Sequence, residues 1–333
     1  MLIDELDIKD RKILYILCQE ARTPPSVIAK QVGLSKDAVK YRIRQLEKKG
    51  VIYNYITLLD MFPLRYLGYE LFIKFNIPPE EAGKISEYFD SHPNICWSCH
   101  LSGEWDYFAE LLCSSNQEFH SITKDLAEKF GEQLVDYDFM LVGDMYRITQ
   151  IIDSVYDGKG IELKDIVEPT VFPTDVGKRI LDDTEKKMLA VMGEHATLPI
   201  HVIAKKAGLT PEVVRYRMRK MRQEGLMIRN TAVIAYQKLG FDEYIVLVNM
   251  RNLTHEKEEA LRMRLQHNRG IKNAFRTLGR QTMFALVNTR TLDELESFLK
   301  SLRTEFFGTI KSINYYHITQ HGRFTLFPDA LQK

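Results

Sequence analysis

The chain has 333 residues, with 46 Lys and Arg against 45 Asp and Glu, a net charge of +1, 45% hydrophobic and 27% charged residues. That length implies two or more domains, each able to bury a core, and the composition excludes a disordered chain. No apolar run approaches the roughly 18 residues of a membrane helix. The acidic opening MLIDELDIKD is neither a secretory signal nor a transit peptide, and four Cys confined to the first third do not make a secreted disulfide scaffold, so the expectation is a multi-domain cytoplasmic protein with no membrane partner.

In chain order, the first element is a helix with Ile13, Leu14 and Leu17 on its apolar face and Asp7 as N-cap. Val27, Ile28 and Val32 give a short second helix closed by Gly33. Ser35 then caps a third helix, with Ala38, Val39, Ile43 and Leu46 inward and Gly50 as its stop. VIYNYITLLD (51–60) reads as a β-hairpin wing. Residues 1–60 are thus a winged helix-turn-helix unit.

Strands near 70–77, 95–101, 105–112 and 134–147 alternate with helices near 79–91 and 116–130, the β-α-β-β-α-β order of a ferredoxin-like domain over 61–150. A stretch with Gly158, Gly160, Pro169 and Pro173 reads as a linker, 151–178. After it the pattern starts again. VIAKKAGLTPEVVRYRMRKMRQEG (202–225) repeats VIAKQVGLSKDAVKYRIRQLEKKG (27–50) without a gap, 175 residues on. Thr210 caps its third helix, Pro211 takes the first turn, and Val214, Met218 and Met221 point inward. LGFDEYIVLVNM (239–250) echoes LGYELFIKFNI (67–77), and LGRQTMFALVN (278–288) echoes SGEWDYFAELL (102–112). The second half therefore divides into a winged helix-turn-helix at 179–236 and a ferredoxin-like domain at 237–320, with strands near 243–250, 271–278, 281–288 and 309–318 and helices near 255–268 and 292–305. The fold class is α+β, a duplicated domain pair.

Charge is concentrated where the repeat is strongest. Residues 22–50 carry eight basic side chains against two acidic, and 197–229 carry the same. In the first copy Lys36, Lys40 and Arg44 fall at i, i+4, i+8 along one stripe, with Tyr41 and Arg42 beside them; the second has Arg215, Tyr216, Arg217 and Arg219. A lone basic helix is usually just a solvated face. Two copies, each with its turn, cap and wing, point to recognition helices in the major groove of double-stranded DNA, with Ser35, Thr210, Tyr53 and Asn54 at phosphate or sugar.

These residues resemble the leucine-responsive/asparagine-dependent (Lrp/AsnC) transcription regulators: LDIKDRKILYILCQEART followed by IAKQVGLSKDAVKYRIRQLEKKGVI looks like that family's helix-turn-helix, and the ferredoxin-like unit like its regulatory domain. The resemblance covers nearly the whole chain twice, whereas a typical member carries one such pair. It implies DNA binding by dimers or higher assemblies, and an amino acid or other small effector at a regulatory-domain interface, where the family has Gly followed three residues later by Asp. Gly103 and Asp106 match that pattern; in the second copy Gly279 is present but Thr282 replaces the acid. From the residues alone, Gly103 reads as a tight turn and Asp106 as a turn cap.

The ferredoxin-like copies have opposite charge: 61–150 has six basic and fifteen acidic residues, and 237–319 has thirteen basic and nine acidic. Pairing of unlike copies is then favoured over like, which predicts a single-chain pseudo-dimer and homo-oligomers built from it. CWSCH (96–100) matches a haem-attachment pattern, but on a strand Cys96 and Cys99 face opposite ways and no second ligand pair is near, so neither haem nor metal is expected. No catalytic or cofactor motif is found, and the reading is not an enzyme. Two alternatives have content: a siroheme decarboxylase-like enzyme, a class resembling these regulators in fold, with His100, Arg276 and Arg280 as carboxylate-binding candidates, and an architectural DNA-binding protein without an effector.

Overall fold

The computed structural model describes residues 3–64, 66–156 and 179–332. The first helix-turn-helix unit comprises α1 (Ile8–Gln19), α2 (Pro25–Val32) and α3 (Lys36–Lys48), followed by β1 (Ile52–Leu59). Asp7 caps α1 by accepting the Asp10 N–H, and Ser35 caps α3 by accepting the Ala38 N–H. Gly33 ends α2 at φ 64°, a left-handed conformation that a side chain resists. Ile28, Ala29 and Val32 are buried, while Val27, expected inward, is exposed. The second unit repeats this with α7 (Asp183–Glu194), α8 (Ile200–Ala207), α9 (Pro211–Gln223) and β6 (Met227–Ile234).

The wing is not a hairpin. VIYNYITLLD holds no Gly or Asn-Gly turn, so it runs as one strand, and its open edge is satisfied by the equivalent strand of the other repeat. β1 pairs antiparallel with β6 from Ile52 with Ile234 to Leu59 with Met227, with a register shift near each end. The exchange continues inward. The core around α1–α3 contains Ala232, Ile234, Tyr236, Leu239 and Phe241 from the second repeat, and the core around α7–α9 contains Leu59, Leu64, Cys96 and Leu112 from the first. Ala21 N–H donates to Asn230 O at 2.7 Å, and Ala196 N–H donates to Tyr55 O at 3.1 Å, the same bond 175 residues apart. Each helix-turn-helix is completed by the other repeat.

The ferredoxin-like halves are β2 (Leu67–Phe75), α4 (Ala82–Ser91), β3 (Ile95–Ser102), β4 (Tyr107–Cys113), α5 (Asn116–Phe130) and β5 (Leu134–Ile148), then β7 (Asp242–Met250), α10 (His255–Gln266), β8 (Ile271–Leu278), β9 (Met283–Thr289), α11 (Leu292–Glu305) and β10 (Ile310–Phe324). They close into one antiparallel barrel of order β10-β3-β4-β2-β5-β8-β9-β7. The seams are β5 with β8 and β10 with β3. Strand parity sorts the side chains: Tyr69, Leu71 and Ile73 pack outward against α4 and α5, while Phe72, Phe108, Phe275, Phe284 and Tyr316 fill the interior shared by both halves. Joining two open sheets edge to edge leaves neither with an unpaired strand.

The start of the segment read as a linker and the C-terminal tail are part of this packing. Ile151, Ile152, Val155 and Tyr156, placed in the linker, enter the first helix-turn-helix core on a short turn, α6 (Asp153–Tyr156); the rest of the linker, 157–178, lies outside the described residues. The tail is equally engaged: β10 runs on to Phe324, and Phe327 and Leu331 pack in the second helix-turn-helix core. Cys96 packs in that core and Cys99 in the barrel interior, on opposite faces of β3, and all four Cys are free and buried. No helix among the described residues is long and apolar enough to cross a membrane.

Candidate nucleic-acid interface and barrel cavity

The buried side of α3 is Val39 and Leu46, and that of α9 is Val214, Met218 and Met221, so the basic stripes face out. Tyr41 and Tyr216 stand at equivalent positions, 62% and 61% exposed. Among the described residues Lys36, Lys40, Arg44 and Arg219 have no ion-pair partner, and Arg215 has only a solvent-exposed pair with Glu212, a contact of little worth in water. The Ser35 and Thr210 hydroxyl oxygens accept the Ala38 and Val213 N–H groups as caps, which leaves each hydroxyl proton to donate outward. Tyr53 is 52% exposed and also lines the barrel cavity described below.

Arg42 and Arg217 are engaged within the fold. Both were expected on the DNA face, yet Arg42 reaches back to Asp7 at 2.7 Å and Asp10 at 2.8 Å, and Arg217 to Asp182 at 2.6 Å and Glu185 at 3.6 Å. These are the same bridges in both repeats, tying the third helix to the capped start of the first. The hydrogen bond to Asp10 outweighs burial and holds the Arg42 guanidinium above its usual range. Arg42→Ala should therefore lower stability by about 1–3 kcal/mol, the worth of hydrogen bonds to charged groups, while leaving the salt slope of DNA binding unchanged. Melting curves beside a salt titration separate the two roles.

Gly103 and Gly279, at φ 134° and 150°, sit at equivalent turns where each half meets the other: a Cβ on Gly103 would stand 3.3 Å from the Tyr316 ring, and one on Gly279 would stand 3.3 Å from Met140 Cβ. Asp106 faces inward to its own fold. Its carboxylate accepts the Phe75 N–H at 2.8 Å, and Thr282 accepts the Met250 N–H at 2.9 Å in the second half. The acid and its replacement do one job, closing the strand end, which is why the exchange is tolerated. Gly103, Asp106 and Gly279, the residues that the resemblance assigns to an effector, thus have a structural part at the turns where the halves meet.

The barrel holds a different site, which the sequence reading missed. At the end facing the β1–β6 pair is a cavity of about 370 Å³, lined by Glu70, Glu110, Glu243, Lys272, His321 and Gln150 among apolar side chains. Glu70 and Glu110 lie directly opposite on β2 and β4. Burial, then the charge of Glu110, pushes the Glu70 carboxyl well above the usual carboxylate range, and burial lifts Glu110 to about 7. For Glu243 burial is the largest influence and acts upward too, but the hydrogen bond and charge of His321 together with the Lys272 charge hold the carboxyl below its usual value. A lone Glu at inward parity in LGYELFIKF and again in YFAELLC was the available signal; that parity becomes known only once the barrel closes.

A raised carboxyl pKa means that the folded state binds more protons than the unfolded one, so this pair's contribution is fully present below about pH 4.5 and is lost as pH rises towards 7. Glu70→Gln should accordingly raise the melting temperature by about 2–4 °C at pH 7.5, with little change at pH 4.5. Equal effects at both pH values would mean that repulsion between Glu70 and Glu110 is not what the substitution relieves.

Residues 6–53 match the winged helix-turn-helix DNA-binding family and residues 181–222 the AsnC-type helix-turn-helix domain. Among curated relatives, the HTH-type transcriptional regulator LrpA of Pyrococcus abyssi is 30% identical over 45% of this chain and 95% of its own. The proline dehydrogenase transcriptional activator of Rhodobacter capsulatus is 44% identical over 36% and 79%. Almost an entire relative thus fits within half of this chain. Of solved structures, the siroheme decarboxylase NirDL matches 97% of this chain and 96% of its own with a TM-score of 0.63 at 14% identity, a likeness of fold alone. With both helix-turn-helix units matched and single-unit regulators aligned over nearly their full length, the chain belongs to the Lrp/AsnC family of helix-turn-helix transcriptional regulators.

Proposed function

We propose that this protein is a cytoplasmic, non-enzymatic regulator whose single chain does the work of a family dimer, presenting α3 and α9 to two half-sites of double-stranded DNA. The observation that carries this reading is the pair of outward, largely unpaired basic stripes, Lys36–Lys40–Arg44 and Arg215–Arg219, borne on modules joined by the β1–β6 ladder. Because α3 and α9 differ in sequence, the half-sites they read can differ, which a symmetric homodimer cannot do. Alternate exposed residues Val135, Tyr137 and Phe139 on β5 leave an apolar strip on which such pseudo-dimers would associate.

The full-length fold likeness to a siroheme decarboxylase supplies a second reading. The carboxylate-binding candidates argue against it. His100 hydrogen-bonds Ser86 on α4 in one half, and Arg276 pairs with Glu258 on α10 in the other, so both are engaged within their own halves. The barrel cavity carries three carboxyl side chains, the wrong sign for a tetrapyrrole polycarboxylate. The deciding experiment is retention of a genomic fragment pool by the purified chain at two salt concentrations, with its absorption spectrum recorded first. Sequence-selective retention that weakens with salt is expected; an intrinsic Soret band without retention would favour the enzyme.

A further inference from the structure

We propose that the barrel cavity beneath the β1–β6 pair is a binding site for a small molecule carrying a primary ammonium group, held by Glu70 and Glu110. Three observations converge on it. Glu70 and Glu110 face each other across neighbouring strands on an otherwise aromatic surface, next to Phe72, Phe108 and Trp97. Like charges directly opposite in a sheet are unfavourable, and only a proton or a cation between them relieves the pair. Next, Glu70 is 2% exposed and Gln150 6% exposed, and among the described residues neither Glu70 Oε2 nor Gln150 Oε1 has a hydrogen-bond partner, although both residues line the cavity. Native interiors rarely leave such acceptors unmet. Finally, the opposite wall is balanced within itself: His321 hydrogen-bonds Glu243, and the Lys272 charge acts on the same carboxylate. The surplus negative charge therefore sits on the Glu70–Glu110 side.

The chemistry of the occupant follows. A primary ammonium offers three N–H donors from one centre, matching two carboxylates and an amide oxygen. A hard divalent cation needs six or more oxygen ligands, and the wall here turns apolar beside the carboxylates, at Trp97, Phe275 and Leu286. Those rings favour a short hydrocarbon body on the amine, within about 370 Å³. Tyr53 and Ile234, from the strands that follow the two recognition helices, also line the site with the adjoining Ala235, so an occupant touches the segment that couples the helix-turn-helix modules. The site uses no residue of α3 or α9, and its test is independent of DNA.

The test uses the full chain with isoamylamine and phenethylamine as probes and isoamyl alcohol and isovalerate as matched controls, read by thermal shift and titration calorimetry. The amines should raise the melting temperature while both controls leave it unchanged. Glu70→Gln and Glu110→Gln should each weaken amine binding at least tenfold while melting no lower than the parent. An alcohol response equal to the amine response would reduce the cavity to an apolar void. No amine response, amine binding retained in both variants, or a variant-sensitive response to magnesium or manganese in place of the amines would each overturn the proposal.

Discussion

Replacing Lys36, Lys40, Arg44 and Arg219 together with Ala should lower DNA affinity by at least about 100-fold near 0.1 M salt and cut the salt slope by about 3 to 4. Each neutralised phosphate adds roughly 0.9 to that slope, and each contact contributes on the order of 1 kcal/mol. These four side chains are the right test because they project outward without ion-pair partners among the described residues, so their removal leaves no buried charge uncompensated. The melting temperature should accordingly stay within a degree or two of the parent. An unchanged slope would remove α3 and α9 from the contact surface. Measured separately, the α3 triple change and Arg219→Ala should each weaken a different half of one asymmetric site, seen as protection lost on one side only.

Expressed singly, residues 1–156 and 179–333 should each fail to fold, and expressed together they should assemble one to one. The first half alone lacks Ala232, Ile234, Tyr236, Leu239 and Phe241 in its helix-turn-helix core. At 1.5–3 kcal/mol for each large buried side chain, their loss removes on the order of 10 kcal/mol. That is comparable to the entire stability of a typical domain. The barrel is cut along both seams as well, exposing the edges of β5 and β3 in one half and of β8 and β10 in the other. Circular dichroism and size exclusion of the separate and co-expressed halves decide this. Two independently folded, cooperatively melting halves would show that the exchanged strands are decoration.

The same exchange explains how the two repeats have diverged without loss of the pairing. The seams consist of backbone ladders and a shared apolar interior, in which Phe275 stacks on Phe284 at 4.6 Å and Tyr316 packs on Phe72 at 5.8 Å. Backbone hydrogen bonds do not depend on surface charge, so one outer surface has become acidic and the other basic while the barrel stays closed.

Local chemistry was legible in the residues. Asp7, Ser35 and Thr210 as caps, Gly33 as a helix end, and the inward faces of α3 and α9 all follow from period 3.6 and from hydrogen bonds spanning three residues. Repeat matching likewise yielded the duplicated domain pair and the strand order of each half, because these depend on neighbours in sequence. What depended on distant partners was not legible. Residues 51–60 read as a hairpin by themselves, and only packing makes them one strand and names β6 as the strand that completes the edge. A basic stripe looks uniform until Asp7 and Asp10 are folded beside it, and then Arg42 becomes a brace while Lys40 stays outside. Asp106 reads as a turn cap from its neighbours, but only the placement of β2 names the Phe75 N–H as the donor it accepts. The Glu70–Glu110 pair, forty residues apart, is brought together by the β2–β4 ladder and enclosed by the barrel, since electrostatics at a few ångströms is set by distance in space and not along the chain.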